Sequence, residues 1–126
     1  MCLDVVDKEP TVKEGIGWKV FIKRDNKLRN CYQWIKEGHK GVFVFPINRW
    51  IVDKGDELIS TEKGDSSYKK GFHIFENENS TIEFATSHVD IIKKKIKFRK
   101  VVATGKELTG NRVIVAREIL ILPDKV

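Results

Sequence analysis

The sequence predicts an α+β domain: a mainly antiparallel, curved sheet of about six strands with one principal helix at about 81–90. Three observations predict it. Residues 91–102, Ile-Ile-Lys-Lys-Lys-Ile-Lys-Phe-Arg-Lys-Val-Val, alternate with period two, setting Ile92, Ile96, Phe98 and Val102 against Lys93, Lys95, Lys97 and Arg99. In residues 112–122, Val113, Val115, Ile119 and Ile121 alternate with Ile114, Ala116, Leu120 and Leu122, so both faces are apolar, as in a strand covered on both sides. Between them, Ser80-Thr81-Ile82-Glu83 forms a capping box, and Ile82, Ala85 and Val89, with Phe84 and His88 alongside, supply an apolar face at helical spacing.

The remaining elements follow in order. Residues 1–16 hold Pro10, Gly15 and several charges without a sustained period, which reads as an irregular arm with one short strand at 3–6. Trp18, Val20 and Ile22 alternate with Lys19, Phe21 and Lys23 up to the turn cluster Asp25-Asn26-Lys27, and an extended pattern resumes over 28–35, so a hairpin is predicted. After a polar loop at 36–41, the β-forming run 42–45 is stopped by Pro46. Residues 48–52 lead into a turn at 53–56, and 57–61 is a weak strand. Residues 62–71 are polar and turn-forming and read as the mobile loop between two halves. Gly71-Phe72-His73-Ile74-Phe75 is a short strand ahead of the helix, and residues 105–111 turn the chain into the last strand. Within that strand Arg117 and Glu118 interrupt the apolar run and are expected to point to opposite faces.

At 126 residues the chain supports one core, so a single domain over 1–126 is expected. No apolar run approaches the roughly 20 residues that cross a bilayer, and the first residues show neither a basic start nor a small-residue cleavage site. A cytoplasmic protein without a membrane segment is expected. Cys2, Cys31, His39, His73 and His88 lack paired ligand spacing, so neither a metal site nor a disulfide framework is expected. The net charge of +6 favours anionic partners.

The basic row Lys93, Lys95, Lys97 and Arg99 is the leading candidate site. Alternate strand residues present side chains roughly 6 to 7 Å apart, a spacing that suits successive phosphates; the same lysines could equally form a solvated face that guards a sheet edge. Trp50 and Tyr68 adjoin turns next to basic residues and are candidates for stacking on a base, whereas Trp18 is assigned to the core. His73, on a strand before a helix start, could meet an anion or be a structural residue. Glu118, in an apolar strand, would have a raised pKa suited to acid–base work unless an arginine pairs with it. No G-x-S-x-G, Walker loop, G-x-G-x-x-G or H-E-x-x-H occurs, which removes the usual nucleophile, phosphate-loop and zinc readings.

Two resemblances bear on function. Met1-Cys2-Leu3, Gly17-Trp18-Lys19-Val20-Phe21, Lys70-Gly71-Phe72-His73-Ile74-Phe75 and the run 113–122 together resemble a group of small phage and bacterial proteins without an assigned activity. That resemblance implies a virus or mobile-element source, where short basic proteins act on host factors, including those of antiviral defence. The order of the 71–75 strand, the helix containing Ala85, the 96–101 strand and a final strand bearing Glu118 is similar to the core of ADP-ribosyltransferases. This second resemblance implies an NAD-using enzyme with His73 and Glu118 at its site, although Trp18-Lys19 stands where that family carries His or Arg with Gly.

The expectation is therefore a non-catalytic binding protein of phage or anti-defence type, without a cofactor. It would engage a nucleotide or nucleic acid through Lys93, Lys95, Lys97 and Arg99, with Trp50 or Tyr68 stacking. The alternatives are the NAD-using enzyme and an inhibitor that docks on an acidic surface of a host protein.

Overall fold

The computed structural model describes residues 3–30, 44–55, 57–61, 64, 66–78, 91–107 and 110–123. Among them lie the strands β1 (Val5–Val6), β2 (Gly15–Arg24), β3 (Lys27–Asn30), β4 (Val44–Phe45), β5 (Trp50–Val52), β6 (Leu58–Ser60), β7 (Ser67–Lys69), β8 (Phe72–Phe75), β9 (Ile91–Lys106) and β10 (Arg112–Ile121), and no helix. The α+β expectation is thus corrected to an all-β fold; the helix expected at 81–90 lies outside the described residues. The sheet has eight strands and not about six, because the short extended segments expected at 3–6, 42–45 and 48–52 contribute β1, β4 and β5, each held in the one sheet by pairing with a longer neighbour.

All pairings are antiparallel, and they return on themselves: β2 pairs with β9, β9 with β10, β10 with β8, and Phe75 of β8 with Trp18 of β2. Closure depends on Gly17, where a Cβ would stand 2.5 Å from Ile74 Cγ2 and 2.9 Å from the Phe75 carbonyl oxygen. The β2–β3 hairpin turns through Asp25 and Asn26, both at positive φ (51° and 61°), as the right-handed twist of a two-residue connection requires. β3 then passes to β4, and β5 extends the other end of β10.

Two apolar clusters hold the sheet. One gathers Phe21, Leu28, Phe45, Ile51, Ile74, Ile96, Phe98, Ile114, Ala116, Ile119 and Ile121 from seven strands, which makes it the interior of the closed sheet. The other lies on the opposite side of β2, β8 and β10, where Val20, Ile22, Phe75, Val113 and Val115 are covered by Leu3 and by Tyr68 and Ile59 of the β6–β7 hairpin. That hairpin corrects the expected mobile loop: Ser67–Lys69 is a strand, and it is held because Tyr68 buries its ring while Arg117 Nη1 donates to the Lys70 carbonyl at 2.9 Å and to the Gly55 carbonyl.

β9 and β10 share an irregularity that decides what faces outward. Phe98 and Val101 both belong to the interior cluster, as do Ala116 and Ile119, so each strand has two successive residues, Arg99-Lys100 and Arg117-Glu118, outside it. Lys100 has φ +56°, and the β9–β10 register shifts between Val115 and Ala116, which lets the ribbon rotate past one step of its alternation. Arg117 and Glu118 therefore do not divide between a core face and its opposite; both leave the interior.

The N-terminal arm is tied across this ribbon. Thr104 Oγ1 donates to Asp7 Oδ2 at 2.6 Å, Arg112 Nη2 donates to the same oxygen at 2.7 Å, and the Thr11 amide donates to Thr104 Oγ1 at 3.1 Å. The Arg112 and Thr104 hydrogen bonds hold the Asp7 carboxyl below its usual range. β1 crosses close to Gly105, where a Cβ would come within 2.0 Å of the Val5 carbonyl oxygen. No helix of the described residues is long and apolar enough to cross a membrane.

Candidate functional site

On β9 the odd-numbered residues 95 and 97 are exposed while Ile96 and Phe98 are buried, so the alternation read from the sequence is present in this half of the strand. Register extends the face sideways. Trp18 lies opposite Lys95, and a continuous row of Cα partners runs Ile16, Lys97, Leu120, Trp50 across β2, β9, β10 and β5. The next row is Arg99, Glu118, Val52. Directly paired residues on adjacent strands share a face, so these side chains form one surface.

The surface mixes cations with aromatic and aliphatic groups. Ile16 is 51% exposed and Val52 48%, and Trp18 and Trp50 are half-buried. Lys95 Nζ sits 5.9 Å from the centroid of the Trp18 ring, and the Arg99 guanidinium 3.7 Å from that of Trp50, distances at which a ring quadrupole attracts a cation. Trp18, assigned to the core from sequence, does touch the cluster under the hairpin with part of its ring, yet it also edges this face. Its partnership with Lys95 could be found only from the β2–β9 register, which the sequence does not specify.

The four predicted cations are not equivalent. Lys93 is half-buried and donates its Nζ to the Glu78 carbonyl, whereas Lys95 and Lys97 are exposed. Arg99 donates through Nε and Nη2 to Glu118 Oε1, each at 2.8 Å, and Lys100 Nζ lies 2.5 Å from Glu118 Oε2. Hydrogen bonds from Lys100 and Arg99 hold the Glu118 carboxyl below its usual range. Its pKa is lowered and not raised as an apolar strand alone would suggest, because the slip in β9 brings two cations to it. Lys94, beside the row in sequence, is buried on the other side of β9, opposite Lys19 of β2.

Tyr68 and His73 lie elsewhere. Tyr68 is buried, and its hydroxyl contacts His73 Nε2 at 3.0 Å and accepts the Leu3 amide at 3.1 Å. Enclosure, and then the nearby Lys19 ammonium, push the His73 pKa down to about 3, so the ring is neutral at pH 7 and shares one hydrogen bond between Nε2 and the Tyr68 hydroxyl, with its direction set by the imidazole tautomer. His73 stands opposite Val115, three residues along β10 from Glu118, and the two belong to separate networks. Among the described residues no group of three His, Cys, Asp or Glu side chains could hold a metal ion.

Compared with family models, curated proteins and solved structures, the chain matches none.

Proposed function

We propose that the chain is a non-catalytic binding protein whose outer β2–β9–β10–β5 face takes a phosphate-bearing ligand. The observation that carries the reading is the exposed Lys95–Lys97 pair set in register between two tryptophans, with Lys93 one step further along the strand. Two exposed ammonium groups on alternate strand positions stand roughly 6 to 7 Å apart, which lets each meet a different phosphate of an extended polyanion. Arg99 supports the face by covering Trp50, and its charge is balanced by Glu118. The free positive charge is thus concentrated on the lysines.

Charge reversal tests this. In the double variant Lys95→Glu/Lys97→Glu, affinity for a fluorescein-labelled oligonucleotide at low salt falls at least tenfold, while the thermal melt stays within a few degrees of wild type because both side chains are exposed. Unchanged affinity in a folded variant would place binding elsewhere or nowhere. An acidic protein surface as the ligand would show as no oligonucleotide binding by the wild-type chain.

A further inference from the structure

Resting on the phosphate-binding reading above, we infer that the ligand is a single-stranded nucleic acid, laid across the strands from Trp18 to Trp50 and held without regard to sequence. Three properties of the face lead there. The first is span. Trp18 and Trp50 lie on β2 and β5, separated by β9 and β10, with register rows one step apart. At about 4.8 Å per strand interval the two rings are about 15 Å apart, and an extended single strand advancing about 6 to 7 Å per nucleotide covers this in two or three steps. Both lysines lie on β9, one strand from Trp18 and on either side of this path, and from there their long side chains reach the phosphates next to the first stacked base.

The second property is the apolar content of the same rows. Ile16, Leu120 and Val52 lie among the cations, with Ile16 and Val52 about half exposed. A duplex turns phosphates outward and keeps its base faces stacked on one another, so it gives such residues nothing to cover. Unpaired bases present flat apolar faces and stack on indole rings, or on an indole carrying a guanidinium as Trp50 carries Arg99.

The third property is the absence of groups that read base edges. The residues in these rows are Ile16, Trp18, Trp50, Val52, the cations Lys95, Lys97 and Arg99, Glu118 and Leu120, with no side-chain amide among them; the guanidinium and carboxylate that could discriminate are bonded to each other. Contacts limited to phosphates and base faces are tolerant of sequence. A mononucleotide fits less well, because the cations lie in a line along a strand instead of converging. The groove of about 740 Å³ beside the N-terminal arm is lined by Arg99 and Lys100 but by none of Lys93, Lys95 and Lys97.

Fluorescence anisotropy with labelled oligothymidylates of two to twelve nucleotides, and with a mixed-sequence 12-mer as single strand and as duplex, tests the inference. Affinity rises with length to about four to six nucleotides and then levels. The mixed single strand binds within about threefold of the thymidylate of equal length and at least tenfold tighter than the duplex. Binding quenches tryptophan emission in the wild-type chain, a readout that needs no variant of the partly buried Trp18. Equal or tighter duplex binding with the same loss in Lys95→Glu/Lys97→Glu would overturn the single-strand inference and leave the phosphate-binding reading intact. No binding of either form at low salt would overturn both.

Discussion

Arg99 and Glu118 face each other across β9 and β10, and the guanidinium that lies 3.7 Å from the Trp50 centroid is also bonded through two nitrogens to the Glu118 carboxylate. One side chain thus links the aromatic end of the face to the point where both strands slip their alternation. Glu118 is the counter-charge that keeps Arg99 and Lys100 from adding to the lysine row.

Removing that counter-charge should strengthen binding of a polyanion. Glu118→Gln leaves the shape but deletes one negative charge about 8 Å from Lys97 and about 14 Å from Lys95, which at high dielectric corresponds to a gain of about twofold in oligonucleotide affinity at low salt. The same variant should be less stable than wild type at pH 7. Because the folded pKa lies below the unfolded value, the stabilisation by Glu118 is present above about pH 4.5 and fades as pH falls through the folded pKa, so the two proteins converge in acid. Weaker binding in Glu118→Gln would instead assign the carboxylate to the ligand itself.

His73 predicts acid sensitivity of a different origin. Its folded pKa of about 3 lies below the unfolded 6.5, so the unfolded chain takes up the proton first and stability falls as pH drops from 6.5 towards 3, by up to about 1.4 kcal/mol per pH unit. His73→Gln, which retains a hydrogen-bond partner for the Tyr68 hydroxyl, should flatten this limb. Urea midpoints at pH 7, 5 and 4 measure it, and an unchanged slope in the variant would show that His73 is not the titrating group.

Sheet closure at Gly17 gives a stability prediction. A methyl group there meets Ile74 Cγ2 and the backbone oxygen of Phe75, and the backbone atom has no rotamer with which to move aside. Gly17→Ala should cost about 2 kcal/mol or more, read as a lower urea midpoint. A neutral substitution would mean that β2 and β8 do not approach as closely as this register requires.

The parts of this account that the sequence disclosed are those with a strong period. Residues 91–102 announced a strand because lysines and large apolar residues alternate, and the apolar run ending at Ile121 announced a central one. The slip at Arg99-Lys100 was hidden because a lysine at positive φ leaves no compositional mark of the kind glycine or asparagine leaves. The β7 half of the β6–β7 hairpin is hidden for another reason: Ser67–Lys69 is three residues long and flanked by turn-forming polar residues, and the burial of Tyr68 and Ile59 explains why it pairs with the weak strand that the sequence shows at 57–61. The site was half legible. Lys95 and Lys97 stood out by charge, but the Trp18–Lys95 and Lys97–Leu120–Trp50 relationships join residues far apart in the chain, and register alone creates them.

If Lys95 and Lys97 on one face of β9 each meet a phosphate, the salt dependence of binding counts those contacts. For a single-stranded oligonucleotide the plot of log affinity against log salt should have a slope of about −1.4, as two neutralised phosphates give, and Lys95→Gln and Lys97→Gln should each reduce its magnitude by about 0.7. A slope near zero, or variants that keep the wild-type slope, would contradict the account.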